Sequence, residues 1–204
     1  PGKATDVVVA GQRAYVAAGS AGLQIIDVSN PLAPSVIGAI ATGNVPWDVV
    51  VKGTRAYVAN GTAGLTVMDV SNPAAPAPLG ALALIGTTKG VDVDAARNLA
   101  IVARGVAGMS VIDVQDPAAP TLIGNLAGGD VRDVAIAGNH ALLADFDRSL
   151  TAVDLTIPSA PALTTSTPRD TGGLLQDVAV FGSLAAAADV FFVNGVPVYD
   201  IADA

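Results

Sequence analysis

The 204-residue sequence contains no cysteine and one histidine, His140. Without thiols there can be no disulfide, thiol nucleophile, iron–sulfur cluster, c-type haem attachment or cysteine-ligated zinc. One imidazole cannot form a histidine cluster around a metal. Charge is also scarce: only 14% of residues are charged, with 10 Lys and Arg against 18 Asp and Glu, for a net charge of −8. An acidic chain repels a phosphate backbone, so nucleic acid is not an expected partner. No run of about 18 apolar residues is present to span a bilayer. The chain begins at Pro1 with no signal peptide, which reads as a processed, recombinant or partial chain. What the sequence does have is apolar residues, 51% of the total, which excludes disorder. At this length a single all-β domain over 1–204 is the default.

The apolar residues come in short packets, and the packets repeat. Gly22-Leu-Gln-Ile-Ile-Asp-Val-Ser-Asn-Pro31 returns as Gly64-Leu-Thr-Val-Met-Asp-Val-Ser-Asn-Pro73 and as Gly108-Met-Ser-Val-Ile-Asp-Val-Gln-Asp-Pro117. A weaker copy is Ser149-Leu-Thr-Ala-Val-Asp-Leu-Thr-Ile-Pro158, and a last one is Val196-Pro-Val-Tyr-Asp-Ile201. The aspartates of this segment are Asp27, Asp69, Asp113, Asp154 and Asp200, spaced 42, 44, 41 and 46 apart. A second series runs ahead of it: Asp6, Asp48, Asp92, Asp133 and Asp177, spaced 42, 44, 41 and 44 apart. Two landmarks in step define units of approximately 6–47, 48–91, 92–132, 133–176 and 177–204.

Each unit reads as four short strands. In the first these are Asp6–Ala10, Ala14–Ala17, Leu23–Val28 and Val36–Ile40. Gly11 separates the first two strands, and Gly53, Gly138 and Gly182 recur at that place, where a tight hairpin needs positive φ. Asn30-Pro31 and Pro34 stop strand pairing before the fourth strand. The run Ala185 to Ala188 could be helical alone, but it aligns with the second strand of its unit. A four-stranded unit of about 40 to 45 residues is the signature of a propeller blade. The expectation is an all-β propeller of about five four-stranded blades, the last incomplete. A β-solenoid or stacked sandwich is the competing architecture, but solenoid coils repeat over shorter periods.

The segment Leu23-Gln-Ile-Ile-Asp-Val-Ser-Asn-Pro31 resembles the LVIVD repeat. The resemblance covers nearly the whole chain, strongest in the first three copies. It implies a β-propeller blade and a bacterial or archaeal protein of the cell surface or extracellular space. It implies no defined reaction.

Three outcomes are open for the fifth unit, which ends at Ala204 without a fourth strand. Residues 1–5 supply a thin outer strand and the ring closes. The chain is a piece of a larger propeller. Or the open edge pairs with another copy. Phe191 and Phe192, on opposite faces of a strand, are candidates for that assembly contact.

The first aspartate series begins the innermost strands and would ring one mouth of the channel. Such a ring suits a hard cation such as Ca2+, or each carboxylate pins one blade to the next through backbone N–H groups. The second series would cap the turn that follows it. Because both series repeat, architecture is the favoured reading. Departures from the repeat are better ligand candidates. The loops Gly19-Ser-Ala-Gly22, Gly61-Thr-Ala-Gly64 and Gly105-Val-Ala-Gly108 are inert, whereas the fourth is Asp145-Phe-Asp-Arg148. Asp145, Asp147 and Arg148, with Trp47, Asp130 and Arg132 from loops leading into first strands, form the candidate ligand site, and Lys89, Arg169 and Asp170 share those loops. Trp47 would stack on a sugar or peptide side chain, or fill space between blades. The charged loop would otherwise be a solvated turn with local ion pairs.

No P-loop, HExxH or strand-to-helix GxGxxG is present, and His140 falls in a turn between strands. Carboxylate-pair hydrolysis would need partners across blades that no spacing singles out. The expected function is therefore a non-catalytic surface propeller acting in protein interaction or structural assembly. A small-ligand or carbohydrate-binding propeller, with or without a bound cation, is the alternative.

Overall fold

Packets of Val, Ile, Leu and Ala joined by two-residue turns fold locally into hairpins. In the computed structural model, which describes residues 2–147, 149–164, 175–189 and 198–200, these hairpins build five antiparallel sheets. The first blade contains β1 (Asp6–Ala10), β2 (Arg13–Ala17), β3 (Leu23–Asp27) and β4 (Ser35–Ile40). The second contains β5 (Asp48–Lys52), β6 (Arg55–Ala59), β7 (Leu65–Asp69) and β8 (Ala77–Leu82). The third contains β9 (Gly90–Asp94), β10 (Leu99–Ala103), β11 (Met109–Asp113) and β12 (Thr121–Leu126). The fourth contains β13 (Val131–Ala137), β14 (His140–Asp145), β15 (Ser149–Asp154) and β16 (Ala162–Leu163). The fifth contains β17 (Leu175–Phe181), β18 (Leu184–Asp189) and β19 (Val198–Asp200). Each strand pairs with its neighbour in sequence, and the described residues include no α-helix. The chain is an all-β propeller of about five blades.

The core is four seams between blades. Tyr15, Leu23 and Ile25 of blade 1 pack on Val49, Val58, Met68 and Val70 of blade 2. Tyr57, Leu65 and Val67 pack on Val91, Val93, Ile112 and Val114. Ile101, Met109 and Val111 pack on Val134, Leu143, Val153 and Leu155. Leu142 and Leu150 pack on Val178, Ala185 and Ala187. A lone four-stranded sheet would leave one of these faces wet. Burying a valine or leucine in such a seam contributes about 1.5–3 kcal/mol. The outer strands approach the next blade closely. A Cβ on Gly38, Gly80 or Gly124 would strike the carbonyl of Pro73, Pro117 or Pro158 in the following blade. Only glycine fits beneath those proline turns.

Blade 3 departs from the aspartate register read from spacing alone. In blades 1 and 2, Asp6 lies opposite Ala17 and Asp48 opposite Ala59. In blade 3 the residue in that place, opposite Ala103, is Gly90, and Asp92 lies two positions further along β9, opposite Ile101. The cause is the hairpin. Ala10 pairs with Arg13 across two residues, whereas Asp94 pairs with Leu99 across four. Asp94 Oδ1 accepts the N–H groups of Ala96 and Arg97, and Asn98 takes φ 54° to close the longer turn. The first series is therefore Asp6, Asp48, Gly90, Asp133 and Asp177, and Asp92 is not its third member.

Residues 2–5 do not form an outer strand for the fifth blade. The Thr5 N–H and hydroxyl both donate to the Ala17 carbonyl, and the hydroxyl also reaches Pro46 O at 2.8 Å. That segment lies on blade 1. No fourth strand belongs to the fifth sheet among the described residues.

Candidate functional site

The five innermost strands line a central channel of about 590 Å3. Its wall carries Asp6, Asp48, Asp92, Asp133 and Asp177, with Trp47, Lys89 and Arg132 at one mouth. The carboxylates join neighbouring blades. Asp6 Oδ2 accepts the Val49 N–H at 3.1 Å, Asp48 Oδ2 the Val91 N–H at 2.7 Å, and Asp133 Oδ2 the Val178 N–H at 3.0 Å. Each donor directly follows the ring position of the next blade. Gly90 has no carboxylate to offer, and Asp92 Oδ2 instead takes the Ile136 N–H at 2.9 Å. Asp177, at the end of the series, is exposed and accepts no N–H from blade 1 among the described residues.

Two of these carboxyls are held well above the ordinary carboxylate range. Burial raises Asp48 first, and the neighbouring Asp6 carboxyl raises it further. Burial likewise raises Asp133, helped by the Asp177 carboxyl and then by the charge of Asp48. Like charges side by side share a proton rather than ionise together. Among the described residues, no three acidic or imidazole groups gather as a set for a metal ion.

At the mouth, Asp130 organises two cations. Its Oδ1 accepts Lys89 Nζ at 3.2 Å, and its Oδ2 accepts Arg132 Nε at 2.8 Å and also the Arg132 terminal nitrogen. Burial opposes ionisation of Asp130, but Arg132 and Lys89 together outweigh it and hold the carboxyl below the usual range. The Arg132 guanidinium lies 4.2 Å from the centre of the Phe146 ring, a cation–π contact. Trp47, 44% exposed, stands at the same mouth rather than inside a seam.

Asp145 is placed differently from its loop neighbours. It ends β14, is buried, and its Oδ1 accepts the N–H groups of Asp130 and Asp147 at 3.2 and 3.0 Å. It braces the loop and does not reach the surface. Asp147 is exposed beside it. Arg148, Arg169, Asp170, Phe191 and Phe192 lie outside the described residues. His140 opens β14 and is half-buried, not in the turn itself. In the second series, Asp27, Asp69, Asp113 and Asp154 each accept the N–H two residues on, closing the turn after the third strand. The hydroxyl and N–H of Ser29, Ser71 and Thr156 lower the carboxyls of Asp27, Asp69 and Asp154. Asp200 falls in β19.

A further series is absent from the sequence reading: Asn60, Arg104 and Asp145, the residues that leave the second strand. Asn60 donates to Thr42 O and Thr66 Oγ1. Arg104 donates to the carbonyls of Ile85, Ala107 and Met109. Each is buried and ties the loop leading into its blade to the loop between the second and third strands. The signal available was a buried-type position carrying three different polar residues where blade 1 has Ala18.

The geometry of repeat and channel agrees with what the chain resembles. The LVIVD repeat matches four times, over residues 1–42, 43–82, 86–127 and 128–167. The chain belongs to the LVIVD-repeat family. No curated protein matches it. Among solved structures, this LVIVD-repeat chain is similar to a functionally unknown protein from Desulfotomaculum acetoxidans DSM 771, at 13% identity and TM-score 0.78, covering 98% of this chain and 66% of that one. It is similar to the computationally designed Ika8 protein, at 8% identity and TM-score 0.74, covering 97% and 58%. It is similar to the Cps50 (Swd1) β-propeller domain of Myceliophteria thermophila, at 11% identity and TM-score 0.72, covering 97% and 70%. At these identities the likeness concerns the fold alone. The LVIVD-repeat chain spans less than two thirds of the first two of these structures. None of its described helices is long and apolar enough to cross a membrane.

Proposed function

We propose that this propeller is a non-catalytic interaction and assembly module, working at the cell surface or outside the cell as its family resemblance implies, through the faces of its first and last blades. One observation carries the reading. Val49, Val91, Val134 and Val178 occupy the same place in blades 2 to 5, facing the preceding blade, and are 3 to 5% exposed. Val7, their counterpart in blade 1, is 57% exposed, and Val9 beside it is 62% exposed. At the other end, blade 5 turns Phe181, Leu184 and Val198 to solvent. Apolar end faces of this kind mark contact surfaces.

The test compares Val7→Lys with Val49→Lys in urea unfolding at low protein concentration. The reading expects Val49→Lys to lose on the order of 3–5 kcal/mol or fail to fold, and Val7→Lys to stay within about 0.5 kcal/mol of the parent. Equal damage from both would mean that blade 5 covers Val7 within one chain, and the reading would fall.

A second reading, small-ligand or carbohydrate binding, is supported by the exposed Trp47 beside Lys89 and Arg132 at the channel mouth. Trp47 emission, titrated with neutral and acidic oligosaccharides and with Ca2+, tests it. A saturable shift supports ligand binding, and a flat response throughout counts against it.

A further inference from the structure

We infer that the blade 5 face docks head to tail on the blade 1 face of a second copy of this chain, the Asp177 carboxylate taking the Val7 N–H. The inference rests on the interaction reading above and names its partner.

The argument is continuity with an interface the chain already makes four times. At each interior seam, one blade offers a front face of apolar side chains from its inner strands, and the next offers a valine that follows the ring position. At three of the four seams a ring carboxylate also accepts that valine-position N–H: Asp6 from Val49, Asp48 from Val91 and Asp133 from Val178. Blade 5 presents the front half of this interface without a partner. Asp177 holds the ring position, Ala179 and Ala188 are exposed beside it, and Val198 and Phe181 extend the apolar face. Blade 1 presents the back half. Val7 and Val9 are exposed, and Val16, Ile26 and Val28 are only half-buried where Val58, Met68 and Val70 of blade 2 are fully buried. Strand register sets the same alignment at both ends: Asp177 lies opposite Ala188 as Asp6 lies opposite Ala17. The halves are complementary, and neither is complementary to itself. The contact is therefore heterologous, which closes into a ring of chains or extends as a series.

Cysteine is absent, so single introduced thiols report without background. At the seam between blades 1 and 2, Ala10 and Val51 share one apolar cluster. Phe181 and Val9 are their counterparts across the docked ends. The experiment mixes Val9→Cys and Phe181→Cys chains under mild oxidation and adds the double variant, with solution mass from light scattering. The expected result is a mixed dimer that dominates over either homodimer, a ladder of cross-linked species from the double variant, and loss of both when Asp177→Ala is added with Val7→Lys. Three results would overturn the inference. Homodimers equal to the mixed dimer would mean chance collision. A fast-migrating monomer from the double variant would mean closure within one chain, which also removes the interaction reading. A 20.1 kDa mass with no cross-link, while Val7→Lys remains harmless, would remove the second copy as partner but leave the end faces open to another.

Discussion

Blades 2 and 3 come from the same repeat yet solve the channel wall in different ways. Blade 2 keeps the short hairpin and puts Asp48 at the ring position, where its carboxylate takes the Val91 N–H. Blade 3 lengthens the hairpin by two residues, and Gly90 falls at the ring position. A Cβ there would stand 2.7 Å from Asp133 Cα and would also strike the Asp133 carboxyl. Blade 3 makes its link further along the strand, through Asp92 and Ile136. The longer hairpin also has a use. Arg97, paired with Asp94 at 2.6 Å, reaches blade 4 and donates to Gly138 O at 2.9 Å and Asn139 Oδ1 at 3.2 Å. Two insertions in a turn thus moved a carboxylate and created a second bridge on the rim. An evenly spaced aspartate series does not by itself make a ring.

The sharpest way to break this comparison is Gly90→Asp, which restores the residue that spacing alone would call for. With backbone and a buried carboxyl in the way, the substitution should cost about 3 kcal/mol or more in urea unfolding. A neutral outcome would mean that Gly90 is not the ring position. Next in size is Asp92→Ala, which leaves the Ile136 N–H without its acceptor. A loss of about 1–2 kcal/mol is expected, and a loss below a few tenths would show that blade 3 needs no carboxylate link. Arg97→Ala removes the rim bridge and should cost about 1 kcal/mol, falling in high salt, because the guanidinium is partly solvated. Equal effects at low and high salt would assign the loss to packing instead.

The smallest effect at acid pH belongs to Asp48→Asn, and its value lies in the pH trend. Asp48 is raised in the folded state by burial and by Asp6. A carboxyl raised on folding contributes stability that is fully present below its unfolded pKa and lost as pH rises through the folded value. The parent should therefore lose stability relative to Asp48→Asn as pH climbs above the ordinary carboxylate range, with the two alike near pH 4. Parallel pH profiles would mean that the Asp6–Asp48 pair does not share a proton.

Much of this was legible in the sequence. The hairpin glycines Gly11, Gly53, Gly138 and Gly182 marked four of five first turns, and the aspartate–proline segments marked the turns after the third strand. The fault at blade 3 was also written there, since no glycine stands between Asp94 and Leu99. Repeat spacing could not show which of two neighbouring residues met the ring, because a two-residue shift keeps the same strand face. Trp47, Asp130 and Arg132 were found because they break the pattern. Asp145 was found for the same reason but misplaced, since a polar residue in a loop motif reads as exposed until its N–H partners are known. Asn60 and Arg104 were missed because their partners are backbone groups distant in sequence.

The sequence by itself determined the blade, the number of blades and the turn chemistry, because strand periodicity, glycine and proline act within a few residues. Only the tertiary structure decided which carboxylates share protons, which cations Asp130 gathers, and that Val7 lies bare where four equivalent valines are buried. Those properties depend on what stands across a seam, and one repeat carries no record of its neighbour.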